Sequence, residues 1–349
     1  MTEPFSKKLS ILFILKKQKS YWNQNNPYSY HSSGLFNSAD FINQMLIKNG
    51  LDSNLVEVND GNDIDREVVK YNPDIIILEA IWCPPSKLKE LVKLHHHKHR
   101  KWVVRNHSEL PFLAQEGIAL EWMLEYPNIH NVYISCNSPK ANKSFQDLIE
   151  NKHKVKLLTN FYPIHHRKNF SAANELNIGC FGAIRPLKNQ LQQAVAAIIF
   201  AKKVNLPLKF HINASRIECN AEPILKSIRA LFQNEPNAQL VEHSWLKRLD
   251  FLKLCSTMTL GLQVSYSETF NIVSADLVSQ GVPVVGSDEI PWLSKLFQAD
   301  PNSVGDIVSK IFYILDADEN IHGIQLESLH RYSEESKELW LEQLKKLAQ

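Results

Sequence analysis

Short apolar runs alternate with helix-like stretches through nearly the whole chain. Six runs in the first half read as strands: "LSILFIL", "NLVEV", "DIIILEA", "KWVVRN", "NVYISC" and "VKLLTN". Five follow in the second half: "LNIGCFG", "LKFHIN", "QLVEHS", "TLGLQV" and "VPVVGS". Between them lie stretches of helical period. One is "NSADFINQMLIKNG", with Asn37 or Ser38 as N-cap and Gly50 as stop, and another is "PPSKLKELVKLHHHK", which opens on proline. Strands that alternate with helices predict parallel βαβ units, and two such series in 349 residues predict two α/β domains. The series breaks over 162–175, "YPIHHRKNFSAANE", which lacks period and reads as a linker. The chain closes on "YSEESKELWLEQLKKLAQ", an amphipathic helix with Leu339, Trp340, Leu344 and Leu347 on or near one face.

The expected architecture is therefore α/β: two Rossmann-like doubly wound domains facing across a cleft. The expected boundaries are 1–165, 166–330 and a final helix at 331–349 that packs back on the first domain. Doubly wound domains carry ligands at the carboxyl ends of their strands. No G-x-G-x-x-G follows a strand and the chain has only 11 glycines, which argues against a dinucleotide dehydrogenase.

Composition narrows the class further. An apolar fraction of 44% with 22% charged residues belongs to a globular protein, and no apolar run reaches membrane-spanning length. Five scattered cysteines without a CxxC pair fit buried thiols in a reducing cytoplasm. The net charge of +2 is uneven, with +5 over residues 1–170 and −3 over the rest, so the first half is the one suited to an anionic partner.

Candidate chemistry concentrates in "SYSETFNIVSADLVSQGVPVVGS". Glu268 stands just before a helix whose amino end, at Phe270 and Asn271, presents free N–H groups, and Asp276 follows eight positions later. Alternatively, Glu268 caps the helix and Asp276 faces solvent. The stretch resembles the E-x7-E signature of retaining nucleotide-sugar glycosyltransferases of the two-domain GT-B type, family 4 above all. The resemblance implies that Glu268 contacts the donor sugar and Asp276, an aspartate where glutamate is usual, the ribose. A second stretch, "NIGCFGAIRPLKNQ", resembles the same family's phosphate clamp. Gly182 and Lys188 match it, Ala183 stands where the family has arginine, and Arg185 is the nearest replacement. Read without the family, Lys188 and Arg185 sit on an ordinary solvated loop.

In the first half the resemblance assigns His107, after "KWVVRN", to the sugar, and Gly34 to the loop that admits donor phosphate. Arg105, Ser108 and Trp82 are candidate acceptor contacts, with rim packing the other reading of Trp82. "GLFNSADF", "EAIW" and "VRNHSELPFLAQEG" also resemble phage-encoded glycosyltransferases.

The resemblance thus implies a retaining hexosyl- or pentosyltransferase in which His107, Lys188, Arg185 and Glu268 are catalytic. Its partners are a nucleotide diphosphate sugar and an acceptor hydroxyl. The acceptor is a hydroxymethylated pyrimidine in phage DNA, or else a glycan, lipid or small molecule. The expected location is the cytoplasm, that of the host for a phage-encoded chain. A non-catalytic nucleotide-sugar-binding protein and a sugar epimerase are the competing readings. No cofactor and no metal are expected. "LHHHKHRKW" reads as a basic helix end, because neighbouring histidines on a helix point apart. His95 and His99 share a face but lack the carboxylate of the HExxH arrangement. Asp316 and Asp318 lie late in a helical stretch and are set aside.

Overall fold

The computed structural model describes residues 8–17, 34–164, 175–317 and 320–349. All eleven apolar runs form strands. They are β1 (Ser10–Lys16), β2 (Asp52–Val58), β3 (Ile75–Glu79), β4 (Lys101–Asn106), β5 (Val132–Cys136) and β6 (Val155–Leu157) in the first half. β7 (Leu176–Gly179), β8 (Leu208–Asn213), β9 (Ala238–His243), β10 (Leu260–Gln263) and β11 (Val284–Gly286) follow in the second. The described chain divides into two compact units, one holding residues up to 162 together with 333–349, the other holding 163–332.

The first unit is a six-stranded parallel sheet of order β2-β1-β3-β4-β5-β6. Its central strands are apolar on both sides, as helix-covered parallel strands require. Ile11, Phe13, Ile75, Ile77 and Val103 pack on one face with Ile42 and Leu46 of the helix Gly34–Lys48 and with Trp340, Leu344 and Leu347. Leu12, Ile14, Ile76, Leu78 and Val104 pack on the other with Leu88, Met123 and Phe145.

The second unit is a five-stranded parallel sheet of order β11-β10-β7-β8-β9. The chain runs outward from β7 through β8 to β9, and in the opposite direction from β10 to β11. With right-handed crossovers the two following helices cover opposite faces, so the loops after β7 and β10 part at the point where strand order reverses.

Three expectations change. Asn37 and Ser38 do not cap the first helix. They lie inside Gly34–Lys48, buried, because the Ser38 hydroxyl donates to Asn160 Oδ1 at 2.9 Å. The final helix is longer than its amphipathic stretch, running from Ile321 to Ala348 and so beginning in the second unit and ending in the first. Its last half carries a buried stripe of Ser333, Ser336, Trp340, Leu344 and Leu347. The small serines meet the segment after β6: Thr159 Oγ1 bonds Ser336 at 2.9 Å, and the Trp340 indole donates to the Thr159 carbonyl at 2.7 Å. Third, the helix Pro85–Lys93 stops before the histidine run, which lies in turns, so neighbouring side chains there are free to point the same way. Among the described residues no helix is long and apolar enough to cross a membrane.

Candidate functional site

The second unit collects its candidate residues where β7 and β10 end side by side. Gly182, past the end of β7, has φ +114, and a Cβ added there meets nothing within 4 Å. Its amide donates to Asn213 Oδ1 at 2.9 Å, which ties the turn to the end of β8. A left-handed glycine with open space beside it lets a phosphate approach the backbone closely.

Lys188 ends the turn that follows, and its ammonium pairs with the Glu268 carboxylate from the loop after β10. Their side chains are 18% and 9% exposed, so the pair is largely withdrawn from water yet reachable. Asn271 also donates to Glu268 Oε1 at 3.1 Å, while its own Oδ1 accepts from Ser274 N at 2.9 Å as the cap of the helix Ile272–Ser279. Asn271 makes this cap from a left-handed backbone, φ 58, which asparagine tolerates.

Buried amides hold the two loops in register. Asn189 donates to Val264 O at 3.1 Å, Gln193 takes Val264 N at 2.8 Å, and Gln193 donates to Lys188 O at 2.8 Å. Gln263 donates to Phe181 O at 3.1 Å, and Gln190 to Ala183 O at 2.9 Å. These side chains are nearly fully buried, so each hydrogen bond fixes a backbone position that the pair depends on, although Gln190 Oε1 finds no partner among the described residues.

The other residues expected in this unit are placed differently. Arg185 pairs with Glu218, which also takes Arg216. Burial would raise the Glu218 carboxyl, but the two guanidiniums outweigh it and hold it below its usual range. Phe270 offers no accessible side chain. It is 2% exposed, packs against Trp292 and Tyr332, and its carbonyl accepts the Trp292 indole at 2.8 Å, so only its backbone remains beside the helix end. Asp276 is 3% exposed rather than solvated, and its Oδ1 accepts Arg248 Nη2 at 2.8 Å.

The first unit has its own cluster at the ends of β3 and β4, next to the reversal of strand order between β1 and β3. Arg105 is wholly buried and cannot serve as an acceptor contact. Its guanidinium meets both Glu79 oxygens at 3.3 and 3.2 Å, the Leu158 carbonyl at 3.2 Å, the Thr159 carbonyl at 3.4 Å and Asn160 Oδ1 at 2.5 Å. An arginine at the end of a strand reads as a surface group in sequence. Here it faces inward because Glu79 and the carbonyls after β6 supply its partners.

Glu79 also takes the Nε2 of His107, whose side chain keeps 15% exposure. Burial alone would raise the Glu79 carboxyl, but Arg105 and then His107 outweigh it and hold it low. Burial and the Arg105 charge both push the His107 imidazole down, so its neutral form is favoured. Next to Glu79, Ala80 adopts φ 70, an uncommon backbone for a residue with a Cβ. The Trp82 indole donates to the Glu79 carbonyl at 2.9 Å and its ring packs on the core, so rim packing accounts for it. Ser108 sits in a turn closed by Asn106, with its amide on Asn106 Oδ1 at 2.9 Å and its carbonyl taking Asn106 Nδ2 at 2.7 Å. Gly34 is the first described residue of the first helix, and Asp316 follows the helix Val304–Leu315. Asp318 lies outside the described residues.

Sequence spacing missed Glu218 and Arg248, whose partners Arg185 and Asp276 lie 33 and 28 residues away, and also Arg216, two residues from Glu218. It also missed the amides of Gln190 and Gln193, although polar residues leading into an apolar helical run were the available signal.

No family model matches the sequence, and no curated protein matches it. Solved structures do. HepE of Anabaena, in complex with UDP and glucose, is 14% identical with a TM-score of 0.66, the match covering 97% of this chain and 100% of that one. A glycosyltransferase of Rickettsia africae is 14% identical with a TM-score of 0.61, covering 98% and 99%. A TarM variant of S. aureus, in complex with fondaparinux, alpha-GlcNAc-glycerol and UDP, is 17% identical with a TM-score of 0.61, covering 80% of this chain. This chain spans 58% of the length of that TarM chain. At these identities the likeness is one of architecture. The chain has the GT-B fold.

Proposed function

We propose that the protein is a retaining glycosyltransferase that moves a sugar from a nucleoside diphosphate to an acceptor hydroxyl. The observation that carries this reading is the Lys188–Glu268 pair at the strand-order reversal of the second unit, beside the open backbone of Gly182. Such a point in a doubly wound sheet is where nucleotides bind. Lys188 supplies positive charge for the diphosphate, and Glu268 accepts hydrogen bonds from sugar hydroxyls. The bond from the anomeric carbon to phosphate breaks as positive charge grows on the sugar, and fixed charge on the departing diphosphate lowers that barrier. In the first unit, His107, oriented by Glu79, offers a hydrogen bond at the end of β4. Neighbours of the same fold with UDP bound support a uridine nucleotide as the first donor to test.

For the acceptor, the +5 balance of residues 1–170 favours an anionic polymer, and hydroxymethylated pyrimidines in DNA are the candidate we advance. A second reading, a non-catalytic nucleotide-sugar-binding protein, is favoured by the ion pairs that engage Arg185 and Asp276.

One assay separates these readings: nucleotide release from UDP-, GDP- and ADP-sugars, with and without duplex DNA containing hydroxymethylcytosine. Release that needs one donor and the modified DNA is the expected result. Release indifferent to DNA keeps the transferase and removes the DNA acceptor. Binding of a donor without any turnover, across glycan and lipid acceptors as well, overturns catalysis in favour of the binding protein.

A further inference from the structure

The histidine run has a partner that its sequence does not show. Asp65, on the helix Asp63–Tyr71, accepts His96 Nε2 at 2.9 Å and His97 Nε2 at 2.7 Å on the same oxygen, Oδ1. The three ligand atoms lie within 4.8 Å of one another. We propose that Asp65, His96 and His97 bind a divalent transition-metal ion of the zinc class.

Two imidazoles and a carboxylate are a donor set suited to such an ion, with water completing the tetrahedron. Bonds of about 2.0 Å to zinc put neighbouring ligand atoms roughly 3.3 Å apart. The two N···O distances therefore need to open slightly, and the His96–His97 nitrogen separation, up to 4.8 Å, needs to close. Asp65 and His96 are free to do so, at 45% and 47% exposure, whereas His97 is wholly buried. His97 is held edge-on against Trp102, with ring centroids 5.8 Å apart, and serves as the fixed ligand.

The two segments are already fastened together. Buried Arg100 donates to the His96 carbonyl at 3.1 Å, to Asn72 Oδ1 at 2.7 Å and to the Pro73 carbonyl. It thus ties the histidine turn to the end of the helix that carries Asp65. His97 N bonds Leu94 O at 2.8 Å, which sets the turn itself. Little ordering is left for the metal to impose.

His97 Nδ1 has no hydrogen-bond partner among the described residues. Without an outer acceptor the affinity is expected to be about 10- to 100-fold below that of a fully supported site. The histidine turn leads into β4, so the ion lies toward the amino end of that strand. It would clamp two crossover connections, whereas Glu79 and His107 stand at the carboxyl ends.

The test is calorimetric titration of the full chain, tag-free and chelator-stripped, with zinc near neutral pH. Melting is followed in parallel. One saturable equivalent is expected, with a raised melting temperature. Asp65→Asn and His96→Ala, checked for fold by circular dichroism, should each weaken binding on the order of 10- to 100-fold. The double variant His95→Ala/His99→Ala should bind like the unmodified chain. No saturable binding, full binding in Asp65→Asn, or loss in the double variant each overturns the site.

Discussion

Lys188 and Glu268 form an ion pair across 80 residues of sequence, one at the end of the turn after β7 and the other in the loop after β10. The two strands are neighbours in the sheet, so the pair closes over the gap between their diverging loops. Asn271 shares Glu268, and Gln193 holds the Lys188 carbonyl, so neither charge depends on the other alone for its position.

Replacing Lys188 with alanine removes the positive charge proposed for the leaving diphosphate. Turnover should fall about a hundred- to a thousandfold. Steady-state nucleotide release with the preferred donor measures this, and near-normal turnover would remove Lys188 from the mechanism.

Gly182→Ala places a Cβ on a backbone with φ +114 and fills the open space beside it. The strain should cost about 1–3 kcal/mol of stability. Donor affinity should fall as well, because the added methyl occupies the approach to the backbone. Urea unfolding and donor titration separate the two effects, and unchanged affinity would move the phosphate elsewhere.

Arg105→Ala leaves Glu79 charged, wholly buried and short of its main counter-ion. Such a break should destabilise the chain by about 3–5 kcal/mol. The double variant Glu79→Gln/Arg105→Met should lose less, since no uncompensated charge remains. Denaturant midpoints for the single and double variants decide the point.

His211 stacks on His243, and burial is the main reason its pKa is lowered from 6.5 to about 4. The neighbouring His243 and Lys209 push it the same way and Glu175 opposes them. As pH falls below 6.5 the unfolded chain takes a proton that folded His211 refuses, so stability declines with acid until the folded pKa is reached. At pH 5 the loss from this group is on the order of 2 kcal/mol. His243, His107 and His97 are shifted in the same direction, so the unmodified chain should lose more than this. His211→Asn should show a shallower fall between pH 7 and 5 in urea midpoints, and an unchanged slope would contradict the assignment.

The central strands were legible because parallel strands covered by helices are apolar along nearly their whole length, while the edge strand β9 showed only Leu240 and Val241 between polar residues. Gly182, Lys188 and Glu268 were brought forward by the resemblance to the family's motifs, and the structure pairs Lys188 with Glu268. Arg105 was misjudged. A charged residue at a strand end looks solvent-facing until Glu79, 26 residues earlier, and the Leu158 carbonyl, 53 residues later, are brought beside it. The histidine run was misjudged for a similar reason, since the helix stops at Lys93 and Asp65 approaches from another crossover.

By itself, the sequence determined the alternation of elements, the two-domain α/β class and the loops that bear candidate chemistry. These depend on local periodicity and on residue types next to strand ends. Only the tertiary structure decided which charges meet: Lys188 with Glu268, Arg185 with Glu218, Asp276 with Arg248, and Glu79 with both Arg105 and His107. A buried charge must find its counter-charge in space, and strand order, which no local pattern encodes, sets which side chains share that space.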